Sequence, residues 1–362
     1  MYYCKQSKCE LESIMSLKNE ALIKTHNLPI KHEGNVHNGK VRSVYWYGDI
    51  GIMVISDKIS AFECGWHTES GLRGIPGKGA SLNAISKSFF DEFNKEGLAG
   101  NHILEVPHPL VWIVQRAEPI YIEAIARQYI TGSMFRDYEK GKREFGGEIM
   151  PEGLKKDQKL NRLLITPSTK GIIRGIPGIP ENDDVNITRK QITDNFGAFG
   201  FEKIGDVDQY EKLLTQGFDI ISKKLDSKGK IFVDTKFEFG YTLDKNRIPQ
   251  LIYIDEIGTP DSSRYWDKEL YEKEGKTVED SKERFRQRLL RAVPDSDVLL
   301  NKNRMPERID LAKNFGVPDV VFMETSNLYR NLAEQITSRP LPKIVNAREE
   351  ILDALSSLRL TL

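Results

Sequence analysis

The period of the apolar positions changes several times along this chain, and the sharpest alternation lies in residues 231–264, IFVDTKFEFGYTLDKNRIPQLIYIDEIGTPDSSR. Strict alternation marks a half-buried strand. Ile231, Val233, Thr235, Phe237 and Phe239 share one predicted face, and Asp234, Lys236 and Glu238 the other. Residues 251–257 read as a second strand, with Leu251, Tyr253, Asp255 and Ile257 on one side. Asp244, Lys245, Asn246, Arg247 and Pro249 supply turn chemistry between them. A hairpin closing near Asn246 is expected to bring Glu238 close to Asp255, with Cβ atoms roughly 5 Å apart. Two such carboxylates need a positive charge between them. Mg²⁺ held against substrate phosphates is one answer, with Lys236 reaching a phosphate. A solvent-exposed polar face is the other.

The same reading along the chain predicts a helix over residues 1–28, carrying Leu11, Ile14, Met15 and Leu22. Strands are expected at 41–47 and 50–55 around Gly48 and Asp49, then a helix at 80–93 capped by Ser81. Strands at 110–114 and 120–130 are parted by Arg116, Ala117, Glu118 and Pro119, which reads as a lobe boundary. Helices follow at 134–140, 188–196 and 206–225, and three more fill the C-terminal part at 281–292, 326–336 and 347–358. Between them the Gly- and Pro-rich residues 171–186 form a loop long enough to act as a lid. The expected fold class is α+β. Its parts are a helical extension (1–29), a β-rich lobe (30–117), an α+β lobe (118–275) and C-terminal helices packed on that second lobe (276–362).

Composition narrows the class. In 362 residues, 53 Lys and Arg balance 53 Asp and Glu, so nothing in the net charge favours a nucleic-acid or membrane-surface partner. No apolar run approaches the roughly 20 residues of a membrane span, and the N-terminus lacks the apolar core of a secretory signal. Cys4, Cys9 and Cys64 are odd in number and show no CxxC spacing, which fits a reducing, cytoplasmic setting. Cys64 reads as a small buried residue rather than a nucleophile. The six histidines are scattered without an HExxH, so zinc is not expected.

Two further stretches invite chemistry. Gly34 and Gly39-Lys40 resemble the start of a Walker A loop, but Val41 stands where Ser or Thr is required and a strand follows instead of a helix. What remains is a glycine loop with Lys40 and Arg42, able to cover phosphates, or a plain surface hairpin. Lys78, between Gly77 and Gly79 just before a helix, offers an anion site of free N–H groups and a cation. The RGIPG at 73–77 recurs at 174–178, too short to be a repeat, and Arg284, Arg286, Arg288 and Arg291 read as a solvated helix face.

Seven stretches occur together: GKVRSVY (39–45), SDKISAFE (56–63), IPGKG (75–79), ARQYITGS (126–133), TPSTKG (166–171), VDTKFEFG (233–240) and DEIGTPDSSRYW (255–266). In this order they resemble the SAICAR synthetase family. The resemblance implies an ATP-dependent ligase joining the carboxylate of carboxyaminoimidazole ribotide (CAIR) to the amine of L-aspartate, through an acyl phosphate, in purine biosynthesis. It also implies a kinase- or ATP-grasp-like β-rich lobe over a larger α+β lobe, with ATP and Mg²⁺ as cofactors. By motif, Lys40, Val41, Arg42, Arg116, Ala117, Glu118 and Lys236 resemble ATP contacts, and Glu238 and Asp255 resemble metal ligands. Arg127, Ser133 and Arg264 resemble ribotide contacts, with Asp261 holding the last of these. Asp57, Ser60, Lys78, Gly79, Ser168, Thr169 and Lys170 fall in motifs lining the acyl and aspartate region, and Asp57 is the candidate base.

Some positions depart from the family pattern. Lys58 and Glu63 stand where Arg and Asp are commoner, and Gln128 and Met134 where Gly is common. Other readings remain: a small-metabolite kinase, against which the missing HRD and DFG signatures count, and an inactive nucleotide-binding regulator. Homo-oligomerisation is left open.

Overall fold

The computed structural model describes residues 21–362. Cys4, Cys9, Leu11, Ile14 and Met15 lie outside the described residues, and the described tail of the expected first helix, 21–29, is not helical. The described chain divides into two compact units: residues 21–85, 103–115 and 281–362, and residues 86–102 and 116–280.

The first unit is built on a five-stranded antiparallel sheet. Its order is His37–Asn38, Arg42–Tyr47, Ile50–Ile55, Val111–Gln115 and Ile103–His108. The last of these strands carries no clear alternation and was not foreseen. Tyr45, Ile52, Val54, Val111 and Ile113 of the sheet form one core with Tyr329, Ala347, Ile351 and Leu355 from the helices Asp319–Thr337 and Ala347–Ser357. A second core joins Ile59, Ala61, Cys64 and Trp66 to Phe285, Leu289 and Phe322. The C-terminal helices therefore belong to the same compact unit as the β-rich part. An amphipathic stripe declares that a face is buried but not what buries it. Cys64 is buried, and burial pushes its thiol pKa up.

The helix Lys78–Lys95 begins before the residues its apolar stripe marks, so Ser81 lies inside it and donates to the Gly77 carbonyl (2.7 Å) instead of capping. Its first turn is satisfied from a distance. Asp57, 1% exposed, accepts the Gly79 N–H on Oδ1 and the Leu22 N–H on Oδ2, both at 2.8 Å.

The second unit holds a seven-stranded sheet. Gln158–Ile165, Ile122–Ile130, the long strand Lys230–Leu243 and Pro249–Ile254 run in that order. Ser168–Thr169 adds to Ile122–Ile130, and Glu118–Pro119 and Ser263–Asp267 add to the long strand. One face of the sheet packs on the helix Gly205–Asp226. Phe218 lies against Phe232 (ring centroids 4.7 Å), Tyr210 against Phe239 (6.2 Å), and the Tyr253 hydroxyl donates to the Leu213 carbonyl (2.7 Å). Gly240 lets the Glu118–Pro119 strand approach, since a Cβ there would meet the Glu118 carbonyl oxygen at 2.9 Å.

Two expectations about the hairpin are corrected. The turn does centre on Asn246, but that register pairs Glu238 with Ile254, Phe239 with Tyr253 and Leu243 with Pro249. Asp255 falls just beyond the strand in the left-handed region (φ 57°), a conformation Asp tolerates better than most residues. The register also shifts between Phe232 and Asp234, a β-bulge at Val233. Phe232 therefore joins the helix-facing side with Phe237 and Phe239. Ile231 and Val233 cluster instead with Tyr129 and Trp266.

Asp57 generates a pH prediction. Burial raises its carboxyl pKa to about 6, against two backbone N–H groups and Lys78 that lower it. Folding thus favours the protonated form, and this stabilisation is full below the unfolded value of ~4 and lost as pH climbs past the folded one. Between about pH 4 and pH 7, wild type should lose ~3 kcal/mol relative to Asp57→Asn. Urea unfolding of both proteins across that range measures the difference.

Candidate active site

The face of the seven-stranded sheet away from the helix Gly205–Asp226 carries the charged residues. Glu123, Ile125 and Arg127 alternate along Ile122–Ile130 with the buried Ile122, Ala124 and Ala126. Phe237 pairs with Ala124, and one further step of that register sets Glu238 across from Glu123. The carboxylate pair foreseen from the hairpin therefore exists with a different partner, on the other neighbouring strand.

The charge between the two carboxylates is Lys236. Its Nζ donates to Glu123 Oε1 (2.7 Å) and Glu238 Oε1 (2.8 Å). Lys170 Nζ is ion-paired with Glu238 Oε2, and the Ser168 hydroxyl donates to Glu123 Oε2 (3.3 Å). Burial would draw the Lys236 pKa down, but Glu238 and Glu123 outweigh it and hold the ammonium well above the usual lysine range. Burial pushes the Glu123 pKa up, Lys236 opposes this, and Asp184 and Glu238 add to it. Lys170, Ser168, Lys236 and Glu238 were foreseen, and the structure joins them. Glu123 was missed, although it shares the strand face of Arg127 at the spacing of four that alternation prescribes.

Further along the same face, Asp234 is flanked by Arg127 on one strand and Arg264 on the other. Arg127 Nη1 donates to Asp234 Oδ2 (3.0 Å), Arg264 is ion-paired with the same oxygen, and Arg127 Nε donates to Thr166 Oγ1 (2.9 Å). Burial lowers the Arg127 pKa while Asp234 holds it up. Gly132 opens the helix Gly132–Glu139 with φ 58°, and a Cβ there would meet Arg264 Nη2 at 2.6 Å. Thr131 gives that helix no side-chain cap, which leaves its first N–H groups and the exposed Ser133 in the neighbourhood of Arg264. Asp261 lies in the turn before Ser263–Asp267, where Ser263 N–H donates to the Thr259 carbonyl (2.8 Å).

Thr169 is buried and ties down the loop 171–186. It accepts the Val185 N–H on Oγ1 (3.1 Å), and its own N–H donates to the Val185 carbonyl (2.9 Å). Arg116 and Glu118 are exposed and Ala117 is half-buried.

The remaining candidates belong to the first unit. Lys40 is exposed, Val41 and Arg42 are half-buried, and the Val41 carbonyl accepts Ser56 N–H (2.8 Å). Ser60 pairs with Gly65 in a two-residue hairpin. Lys78 is fully buried, and Gly79 sits where a Cβ would meet Leu110 at 2.9 Å. Both Asp57 oxygens are engaged by backbone N–H groups, so its geometry is that of a helix anchor.

Among the described residues, no three His, Cys, Asp or Glu side chains converge as metal ligands. Both Glu238 oxygens hold ammonium groups. Glu238 and Asp255 do offer oxygen donors alone, the chemistry Mg²⁺ takes when substrate phosphates complete its shell. No helix among the described residues is long and apolar enough to cross a membrane.

The buried arginine pair yields a stability prediction. Asp234→Ala strands two guanidinium groups, each less than a fifth exposed, and should cost ~3–5 kcal/mol in urea unfolding.

Comparison with known proteins identifies the family. The family profile described as SAICAR synthetase matches residues 35–299. Phosphoribosylaminoimidazole-succinocarboxamide synthase of Saccharophagus degradans is 54% identical, covering 94% of this chain and 98% of its own. The Vibrio vulnificus protein of that name is 55% identical, with the same coverage. SAICAR synthase from Saccharomyces cerevisiae, solved with SAICAR, superposes with a TM-score of 0.65 at 25% identity, covering 88% of this chain and 99% of that one. A SAICAR synthetase solved with ADP shares the fold at a TM-score of 0.54 and 20% identity, covering 84% and 99%. With the profile spanning most of the chain and relatives matched nearly end to end, the chain belongs to the SAICAR synthetase family.

Proposed function

We propose that the polar face of the seven-stranded sheet carries the chain's reaction, with Lys236 and Lys170 at the nucleotide phosphates and Arg127, Arg264 and Ser133 at the ribotide. As a SAICAR synthetase, the chain is an ATP-dependent ligase of purine biosynthesis that joins the carboxylate of CAIR to the amine of L-aspartate. The observation that carries the assignment is the chain of contacts Ser168–Glu123–Lys236–Glu238–Lys170 beside Asp234 and its two arginines.

A carboxylate is a poor electrophile, so the CAIR carboxylate oxygen first takes the γ-phosphoryl group of ATP, releasing ADP and leaving an acyl phosphate. The aspartate amine then attacks the acyl carbon, the C–O bond to phosphate breaks, and the amine gives up a proton. Both steps ask the protein mainly for positioning and charge neutralisation. Lys236 and Lys170 supply cationic donors where negative charge builds on the transferring group. The Arg127–Arg264 pair and the uncapped start of Gly132–Glu139 fit the dianionic ribotide phosphate. Mg²⁺ bound with the nucleotide would supply further neutralisation, with Glu238 and Asp255 as the protein carboxylates that hold it.

By motif alone, Lys40, Val41 and Arg42 are assigned to the phosphates and Arg116, Ala117 and Glu118 to the rest of the nucleotide. Ser60, Lys78, Gly79, Ser168 and Thr169 are assigned to the acyl and aspartate region, and Asp261 to the support of Arg264. Asp57 is assigned to anchoring its helix rather than to taking the amine proton. The cysteine usage supports a cytoplasmic enzyme.

Phosphate release with ATP, CAIR and each amino acid in turn tests the reading. Release should require L-aspartate, and release without it would overturn the ligase assignment. Glu238→Ala should lower kcat by ~10³-fold or more in a protein whose circular dichroism stays native, with a lowered thermal midpoint because two ammonium groups lose their shared carboxylate. Turnover that survives at ordinary Mg²⁺ would remove Glu238 from the site.

A further inference from the structure

We propose that Glu123 is a positioning residue of the ligase reaction, fixing where Lys236 and the 168–170 segment present their cations. Glu123 sits at a junction of two strands. Its Oε1 receives Lys236 at 2.7 Å, and its Oε2 receives the hydroxyl of Ser168, the residue directly across from it. The pairing continues with Thr169 opposite Ile122, and Lys170 N–H donates to the Tyr121 carbonyl (3.0 Å). One carboxylate thus ties together the strand carrying Lys236 and the segment carrying Lys170.

The chemistry of the ammonium makes this tie directional. A lysine has three N–H donors and no acceptor. Two of those on Lys236 are taken by Glu123 and Glu238, approached from neighbouring strands, so the direction of the third is set. With Glu123 neutral or shortened, the ammonium is free to pivot about Glu238 alone. The fold does not need the charge for its packing, because the apolar face of this strand (Ile122, Ala124, Ala126) points the other way. Lys236 and Ser168 engage the two Glu123 oxygens, so its effect on the reaction runs through them.

This inference rests on the assignment of Lys236 to the nucleotide phosphates, and a double-mutant cycle separates the two. Wild type, Glu123→Gln, Lys236→Met and the double variant are compared for kcat, for KM of ATP and CAIR, and for thermal midpoint. Glu123→Gln should lower kcat by ~10²-fold while the CAIR KM and the midpoint stay near wild type. The double variant should be little slower than Lys236→Met alone, because the two residues act as one unit. Glu123→Asp, which keeps the charge on a shorter stem, should recover ~10-fold of the loss. Losses that multiply in the double variant overturn the proposal. So does a normal kcat in Glu123→Gln, a fall explained by a lowered midpoint, or a Glu123→Asp no better than Glu123→Gln. If Lys236→Met turns over like wild type, the phosphate assignment fails and this inference with it. An inactive Lys236→Met beside an active Glu123→Gln sinks this inference only.

Discussion

The placement of the Lys236 ammonium between Glu123 and Glu238 is the constraint on which the polar face of the sheet depends. Adjacent strands bring the two carboxylates to one place, and little water reaches Glu238 to screen them. A lysine that belongs to the same strand as one carboxylate supplies the counter-charge from within, so the sheet stays paired without help from solution. The cation is held in turn, since removing it would cost it both partners at once. Lys170 and Ser168 complete the set by engaging the outer oxygens. The other face of the same strands is apolar and packs on Gly205–Asp226 and on Phe93 of Lys78–Lys95. The sheet is therefore rigid on one side through close packing and on the other through charge.

Charge is distributed unevenly along that polar face, and this orders the assignments. The Lys236 group balances, with two lysines against two carboxylates. The Asp234 group gathers two arginines on one carboxylate oxygen beside a helix start without a side-chain cap. Two guanidinium forks held together suit a phosphate monoester that must be held throughout the reaction. The balanced group suits charge that changes during turnover. A lysine can leave a carboxylate for a phosphoryl oxygen and return, at little net change in energy when its partner is neutralised at the same time. Arginine forks locked by Asp234 and Thr166 are less free to move.

How far the sequence reveals this follows from the range of each signal. Alternation put Lys236 and Glu238 on one face, and the polar turn centred the hairpin on Asn246, because both signals are local. Glu123 escaped notice as a partner of Lys236 because 113 residues separate them. Only the pairing of nonconsecutive strands unites the two. The bulge at Val233 likewise has no local signature, yet it moves Ile231 and Val233 to the face opposite Phe237 and Phe239. The C-terminal helices were visible from their stripes, but their choice of the β-rich unit was not. The cap of Lys78–Lys95 was sought nearby in Ser81 and comes instead from Asp57, 22 residues away.

The one-residue difference in hairpin register changes the chemistry argued for the metal. Had Asp255 stood opposite Glu238, a third carboxylate would have joined Glu123 and Glu238 around Lys236. With Ile254 in that position, Glu238 is satisfied by lysines and Asp255 stands at a left-handed exit from the strand. Mg²⁺ dehydrates reluctantly and takes few protein carboxylates where phosphates are present. A face neutralised by its own lysines keeps both Glu238 oxygens engaged within the sheet. In the proposed assignment, the lysines that hold this face together are the groups that receive the nucleotide phosphates.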